Sequence, residues 1–146
     1  MHSDYLTFRL DLTNSLLVDK ANLVYGKRWD LDVRALRVLR LVCAEPNITP
    51  KAISQQALIE KTLLSKILTQ LCSRGLMVRR THATDRRSIS LSATEEGLGI
   101  AKASRKLGGR LEAQLLAALS EHERKALNCL LGKLTSSLLS AGSATE

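Results

Sequence analysis

The chain has 146 residues, a formal net charge of +8 and a pI near 9.8. Hydrophobic residues form 45% of it and aromatic residues 3%, so aliphatic side chains must fill the core. Apolar runs fall far short of the roughly 20 residues of a membrane span, and no signal-peptide pattern precedes them. The spacing of Cys43, Cys72 and Cys129 fits neither a disulfide framework nor a zinc site. We therefore expect one cytoplasmic domain with no metal, cofactor or membrane partner.

Two helices are predicted in the first third of the chain. Residues 5–26 carry apolar side chains at helical spacing, and Gly26 is expected to end that helix. Asp30 can cap a second helix whose buried side holds Val33, Leu36, Leu39 and Val42. Pro46 then breaks the pattern.

A short helix and a longer one follow. Thr49 is a suitable N-cap for a helix over residues 50–57, since proline is well tolerated at the first helical position. Glu60 can cap the next helix, which runs to Arg74 and has an inward face of Leu64, Ile67, Leu68 and Leu71. Gly75 suits a left-handed residue, after which Leu76 can fold back on Leu71.

A β-hairpin and two more helices complete the prediction. Residues 78–81 and 89–91 have strand character and are separated by a polar tip. Thr94 can cap a long helix that reaches about Leu119 and is loosened near Gly108. The segment 120–123, Ser-Glu-His-Glu, is a capping box for a final helix rich in leucine.

The positive charge is concentrated in one segment. Residues 50–90 contain eight lysines and arginines against Glu60 and Asp85, which places +6 of the total +8 there. A localised basic surface is typical of a protein that binds a polyanion. The alternative is a solvated basic face that serves solubility.

The outward face of the helix from Glu60 to Arg74 combines cationic and hydroxyl side chains: Lys61, Thr62, Ser65, Lys66 and Thr69. In a major groove, hydroxyls can reach base edges or phosphates and a lysine can approach guanine. An ordinary polar face would have a similar composition. The short helix just before it favours a helix-turn-helix.

The hairpin carries a second candidate DNA contact. Arg86 and Arg87 lie at or beside the turn, where an arginine can enter a minor groove. Asp85 can hold the Arg87 guanidinium by a bidentate pair, or it can form an ordinary surface salt bridge. Arg79 on the first strand, with Arg80, either contacts phosphates or aids solubility.

These motifs resemble the MarR family of winged helix-turn-helix transcription regulators over about residues 5–140. The resemblance is carried by Arg74-Gly75-Leu76-Met77-Val78, by Asp85-Arg86-Arg87 in the wing, and by Leu91-Ser92-Ala93-Thr94-Glu95-Glu96-Gly97. Two positions depart from the family pattern: Leu58 stands where glycine is frequent, and Met77 separates Leu76 from Val78. The implied fold is mainly α with a two- or three-stranded β-wing.

The resemblance also implies a homodimer whose first and last helices interlock. Residues 1–146 then form a single domain, with a winged-helix lobe at 30–94 and dimerisation helices at 5–26 and 95–140. The leucine-rich final helix supports this independently, because so small a chain cannot easily bury it alone. The expected protein is a repressor that binds a palindromic operator in double-stranded DNA.

Members of such a family often sense a small aromatic or phenolic effector. Tyr25, Arg28 and Trp29 lie where a pocket for it could form, although Trp29 also suits a core position that joins two helices. Cys43 and Cys72 are expected to be buried thiols rather than oxidant sensors.

Two other functional classes, an enzyme and a protein-binding module, are less consistent with the sequence. An enzyme is disfavoured because His2, His82 and His122 are scattered and the chain has no nucleophile elbow or phosphate loop, so no catalytic residue is expected. The stronger rival is a winged-helix module that offers its basic face to an acidic protein partner. Such a module should expose apolar anchors on that face.

Overall fold

The computed structural model describes residues 5–82 and 85–142, apart from the side chains at 82 and 85–87. Within these ranges the chain forms six helices and a two-stranded antiparallel sheet. In chain order the elements are α1 (Leu6–Trp29), α2 (Val33–Ala44), α3 (Pro50–Ala57), α4 (Lys61–Ser73), β1 (Met77–His82), β2 (Asp85–Ala93), α5 (Glu95–Leu115) and α6 (Glu121–Gly142). The mainly α fold with a small β-wing is confirmed.

The chain divides into two compact units, one up to Gly108 and one from Gly109 onward. The core of the first unit consists of aliphatic side chains, as the low aromatic content requires. Its most deeply buried members come from α2, α3, α4 and the sheet: Leu36, Val38, Leu39, Val42, Ile53, Leu71, Leu76, Met77 and Leu91. The division into a lobe at 30–94 and dimerisation helices stays a prediction.

The predicted end of the first helix is wrong. Gly26 lies inside α1, which continues beyond 5–26 to Trp29 and ends where Asp30 adopts a left-handed conformation (φ 53°). The backbone N–H of Asp30 donates to the Gly26 carbonyl, which closes the last turn. Asp30 is therefore the C-cap of α1 and not the N-cap of the next helix.

Asp32 caps α2 instead. Its carboxylate accepts a hydrogen bond from the Ala35 N–H at 2.8 Å, and the Val33 N–H donates to Oδ1 of Asn22 on α1 at the same distance. Leu36, Leu39 and Val42 are buried as predicted, whereas Val33 is half-buried. The start of α2 is thus satisfied partly by a neighbouring helix, which no local pattern reveals.

The helix-turn-helix forms as predicted. Thr49 caps α3 by accepting from the Ala52 N–H at 3.2 Å, and Glu60 occupies the N-cap position of α4 without a side-chain capping bond. Between the helices, Leu58 takes a left-handed conformation (φ 54°) with its side chain 84% exposed. The Ser54 hydroxyl donates to the Ile59 carbonyl and holds the turn.

A Schellman motif ends α4. The Leu76 N–H donates to the Leu71 carbonyl and the Gly75 N–H to the Cys72 carbonyl, both at 3.0 Å, with Gly75 at φ 72°. The predicted inward face of α4 (Leu64, Ile67, Leu68 and Leu71) is buried. Both predictions for this helix are confirmed.

The wing is longer than predicted. Strands β1 and β2 pair from Met77↔Ala93 to Thr81↔Ile89, and the register then shifts between Thr81 and His82. Met77, the departure from the family pattern, is buried while Val78 is exposed, so Met77 supplies the inward side chain. The Ile48 carbonyl accepts from the Leu91 N–H and adds an isolated bridge in place of a third strand.

Two predicted caps open the last helices. The Thr94 hydroxyl accepts from the Gly97 N–H at 3.1 Å and begins α5, which ends at Leu115 and is continuous through Gly108. Ser120 and Glu123 form the reciprocal capping box of α6. Hydrogen bonds from the backbone and hydroxyl of Ser120 lower the pKa of the Glu123 carboxyl. None of the helices in the described ranges is long and apolar enough to span a membrane.

The beginning of α5 lies against the Leu76 backbone, which requires glycine at position 97. A β-carbon on Gly97 would stand 2.0 Å from the Leu76 carbonyl oxygen, whereas one on Gly99 would meet nothing within 4 Å. Gly97→Ala should lower the free energy of unfolding by about 2–3 kcal/mol through overpacking against backbone. Gly99→Ala should raise it by about 1 kcal/mol through helix propensity. Urea denaturation checks both, and effects of the same sign would contradict the close approach.

Leu58 stores strain that glycine would relieve. A left-handed conformation costs a residue with a β-carbon about 1–2 kcal/mol. Glycine avoids this cost, but its unfolded state has a larger conformational entropy, which offsets part of the gain in stability. Leu58→Gly should therefore raise the free energy of unfolding by about 0.5–1 kcal/mol. Leu58→Ala removes the exposed side chain but keeps the β-carbon, so its stability should change little. Thermal denaturation measures the stability of both variants, and an equal increase in stability for the two would exclude backbone strain as the cause.

Candidate nucleic-acid interface

The outward face of α4 carries the predicted mixture of charge and hydroxyl. All five of its predicted contact residues are exposed: Lys61, Thr62, Ser65, Lys66 and Thr69. The amphipathic spacing separates them from the leucine and isoleucine face beneath, so α4 is anchored by one side and presents the other. This arrangement places lysine ammonium groups and short hydroxyl side chains together on one helix surface.

Arg79 joins the wing to this helix. Its Nη2 donates to the Thr69 hydroxyl at 3.3 Å, and Thr69 itself donates to the Ser65 carbonyl at 2.9 Å. Arg79 lies on β1 opposite Leu91, whose side chain is fully buried. The wing strand thus sets the guanidinium beside the exposed face of α4, where it adds a third kind of donor to that surface.

A groove of about 470 Å³ runs between α3, α4 and the wing. Lys61, Ser65 and Arg79 line it together with the apolar side chains of Leu64, Leu68 and Ile89. The groove is therefore apolar at its base and cationic around it. The sequence places Lys61 and Ser65 on one helix face and Arg79 on a strand, and the fold brings all three to one groove.

Three further polar residues of this groove were not predicted as contacts: Lys51, Ser54 and Gln55. Lys51 and Gln55 come from α3, one turn apart, and line the same groove. Lys51 was counted in the basic segment but assigned no role. The signal available was its spacing of four residues from Gln55 on the exposed side of a short amphipathic helix.

The triplet of Asp85, Arg86 and Arg87 lies partly outside the described structure. Its backbone forms the first residues of β2, beside the hairpin tip and next to the register shift, rather than the tip itself. The side chains lie outside the described residues, so the pairing of Asp85 with Arg87 stays a prediction. Irregular register of this kind redirects side chains at the edge of a sheet.

The three predicted effector residues lie together at the end of α1. The rings of Tyr25 and Trp29 are stacked with centroids 6.2 Å apart, and the Arg28 guanidinium lies 5.6 Å from the centroid of the Trp29 ring. Tyr25 is buried, whereas Trp29 is half-buried. These contacts suit a core anchor, and the effector role stays a prediction.

Arg40 extends this aromatic cluster toward α5. Its guanidinium lies 5.9 Å from the centroid of the Tyr25 ring, and its Nε and Nη2 both donate to the fully buried Ser104 hydroxyl at 3.2 and 3.1 Å. The Tyr25 hydroxyl would stand 2.9 Å from a β-carbon on Gly108. The pairing spans 64 residues of sequence, so no local motif could have found it.

The cysteines differ in exposure. Cys43 and Cys72 are half-buried rather than fully buried, and Cys129 is exposed. Burial raises the pKa of the Cys43 thiol, an effect that the nearby charge of Arg105 partly opposes. A protonated, half-buried thiol is a weak nucleophile, which agrees with a structural role for Cys43.

Comparison with known proteins shows a likeness to one family of regulators. A sequence model described as the MarR family matches residues 29–88, which include the helix-turn-helix and most of the wing. The transcriptional regulator HosA of Escherichia coli O127:H6 is 28% identical over 112 residues, covering 73% of this chain and 83% of HosA.

The chain thus resembles the MarR family of winged helix-turn-helix transcriptional regulators. The regulator PecS of Dickeya dadantii is 29% identical over 128 residues, and the match covers 86% of this chain and 77% of PecS. These relatives are transcriptional regulators, which agrees with the expectation that the protein is not an enzyme. Among the residues that the structure describes, no cluster of histidine, cysteine or carboxylate side chains could hold a metal ion.

Solved structures share the fold of this protein. A MarR/EmrR family regulator from Acinetobacter sp. ADP1 superposes with a TM-score of 0.81 at 20% identity, over 94% of this chain and 98% of that one. A MepR–DNA complex from S. aureus gives a TM-score of 0.79 at 21% identity, over 91% and 98%. At this level of identity the likeness establishes the fold.

Proposed function

We propose that two copies of this chain bind a near-palindromic operator in duplex DNA and repress transcription by blocking access to it. The exposed face of α4 carries this proposal, because its hydroxyl and lysine side chains suit the edges of bases and the phosphates beside them. The MepR complex and a mutant MarR from E. coli complexed with operator DNA (TM-score 0.79, 23% identity, 88% of this chain and 92% of that one) support it by analogy of fold. We further propose that the protein acts in the cytoplasm.

Homodimerisation rests on apolar surface that the single chain leaves exposed. The described part of α6 contains no buried residue, and Leu130 and Leu138 are 59% and 72% exposed. On α1, the leucines at 6 and 23 are 65% and 67% exposed. Exposed apolar side chains of this size on a helix mark an interface, and a two-fold dimer through these helices would cover them.

In the proposed complex α4 enters the major groove and the wing reaches the adjacent minor groove. Lys61, Lys66 and Arg79 neutralise phosphates or approach guanine, while the hydroxyls of Thr62, Ser65 and Thr69 contact base edges or phosphates. We assign Arg86 and Arg87 to the minor groove, where the negative potential attracts arginine, and Asp85 to holding Arg87 in place.

A small aromatic or phenolic effector that releases the protein from DNA is a further element of the proposal. The stacked pair of Tyr25 and Trp29, with Arg28 over the indole, offers aromatic surface beside a cation. Such surroundings suit a planar anion or phenol. Isothermal titration with phenolic carboxylates would test this element separately from DNA binding.

Selection from a random-sequence duplex pool tests the central proposal. We expect enrichment of two inverted half-sites about one helical turn, roughly 34 Å, apart.

The alternative function is a module whose basic face binds an acidic protein. The described face of α4 argues against it, because its five outward residues include no apolar anchor. Retention of duplexes without sequence enrichment would favour that alternative.

Substitution of Lys66 should weaken binding to all duplexes equally. If Lys66 neutralises a phosphate, Lys66→Gln lowers affinity about tenfold and reduces the slope of log K against log salt by about 0.9. Fluorescence anisotropy across a salt series measures both quantities. Lys102→Gln, an equal loss of charge at an exposed position on α5, is the control. The same change in slope for both variants would remove Lys66 from the interface.

Substitution of Arg87 tests the wing. Arg87→Ala should weaken binding to the selected operator about tenfold through loss of a charge-assisted contact, and leave the folded dimer intact. Gel shift measures affinity, while circular dichroism and sedimentation report fold and dimer. Arg34→Ala, at an exposed position on α2, is the matched control. An operator affinity equal to that of the control would refute the minor-groove assignment.

A further inference from the structure

Arg74 connects the end of the recognition helix to the end of α1. It is the C-cap residue of α4, and its side chain reaches back 44 residues in sequence. Nη1 donates to the Asp30 carbonyl at 2.8 Å, and Nη2 donates to the Trp29 carbonyl. One guanidinium thus contacts two successive backbone carbonyls of a different helix. The planar fork of arginine suits such a pair, whereas a lysine ammonium has no fixed fork.

The Trp29 and Asp30 carbonyls lie at the C-terminal end of α1, where carbonyl groups need hydrogen-bond donors from outside the helix. The last carbonyls of a helix lack partners within it and carry the negative end of the helix dipole. Asp30 is held in the left-handed region at φ 53°, a conformation that persists in residues with a β-carbon only when the surroundings enforce it. The charge-assisted bonds from Arg74 provide part of that constraint. The shape of the α1 terminus therefore depends on a residue of α4.

The same end of α4 is held on its other side by α5. The Thr94 hydroxyl donates to the Gly75 carbonyl at 2.7 Å, and the Thr94 N–H donates to the Leu76 carbonyl at 3.1 Å. Gly97 permits the close approach of that carbonyl. Two hydrogen bonds thus oppose movement of the α4 terminus away from α5, and the backbone contact blocks movement toward it. Its link with α1, in contrast, passes through one flexible side chain.

We propose that Arg74 is a positioning residue that couples the Trp29 turn at the end of α1 to the orientation of the recognition helix. Displacement of the Trp29 or Asp30 carbonyl changes the geometry of the hydrogen bonds that the Arg74 guanidinium donates. The C-terminal end of α4 then shifts with that guanidinium. Conversely, a change in α4 on contact with DNA reaches Trp29. The coupling to DNA rests on the proposed function, whereas the coupling within the protein does not.

Hydrogen exchange in the DNA-free protein tests the coupling within the protein. Arg74→Gln should accelerate exchange about fivefold or more at both termini: at the Asp30 N–H of α1, and at the Gly75 and Leu76 N–H groups of α4. The matched variant Arg34→Gln should accelerate exchange at neither terminus. Acceleration at the α4 terminus alone, or at neither, would overturn the proposal. If Arg74→Gln does not fold, Arg74→Lys carries the same comparison, because it keeps the charge and lacks the fixed fork.

Tryptophan fluorescence tests the coupling to DNA. The chain has one tryptophan, Trp29, so its emission reports the α1 terminus directly. Titration with the duplex recovered by selection should change this emission in the wild type and in Arg34→Gln. Arg74→Gln should bind the duplex about tenfold more weakly and lose most of the emission change at saturation. A full emission change in Arg74→Gln, or none in a wild type that binds the duplex, would overturn the coupling to DNA. A wild type that binds no duplex would refute the proposed function instead, and the exchange experiment would still decide the coupling within the protein.

Discussion

The backbone contact between Leu76 and the start of α5 is the constraint on which the lobe depends. The Leu76 carbonyl accepts from the Thr94 N–H, and only a residue without a β-carbon fits opposite it at position 97. The Schellman end of α4, the first residue pair of the wing and the first turn of α5 meet at this point. Because three elements share one backbone contact, the direction of α4 and that of the wing cannot vary independently.

Burial of one face of α4 gives the other face its chemical character. Leu64, Ile67, Leu68 and Leu71 occupy the core, so the opposite side of this 13-residue helix is exposed and mainly polar. The hydrogen bond from Arg79 to Thr69 then limits the freedom of a long cation beside that face. Restricting a side chain before it binds lowers the entropy lost on binding. The fold thus prepares a cationic surface at little cost to its core.

The protein exposes two surfaces of opposite character. One is the cationic face of α4 with the groove beside it, and the other kind is apolar, found on α1 and, separately, on α6. Water penalises exposure of the second surface but not of the first, because charged side chains are well solvated. A partner of the same sequence would relieve that penalty and leave the cationic faces available to a polyanion. The proposed dimer and the proposed DNA complex therefore use separate surfaces.

Local sequence was sufficient for several features that depend on residues within one turn of each other. The caps at Thr49 and Thr94, the left-handed Gly75 and the box formed by Ser120 and Glu123 were all predicted and are confirmed. The outward face of α4 follows from the same spacing, because 3.6 residues per turn determines which side chains share a face. The family resemblance indicated the fold, which the structure and the comparisons confirm.

Tertiary structure decided what depends on distant partners. Gly26 and Asp30 were assigned wrongly. The carbonyls at the end of α1 accept hydrogen bonds from the distant Arg74, and the first N–H of α2 donates to Asn22 on α1. The link between Arg40 and Ser104 spans 64 residues and has no local signature. Leu58 adopts a conformation that its own side chain disfavours, since the helices on either side must be joined by a tight turn. A local pattern ranks the conformations of a short segment, but hydrogen bonds and packing from elsewhere in the chain decide which of them is occupied.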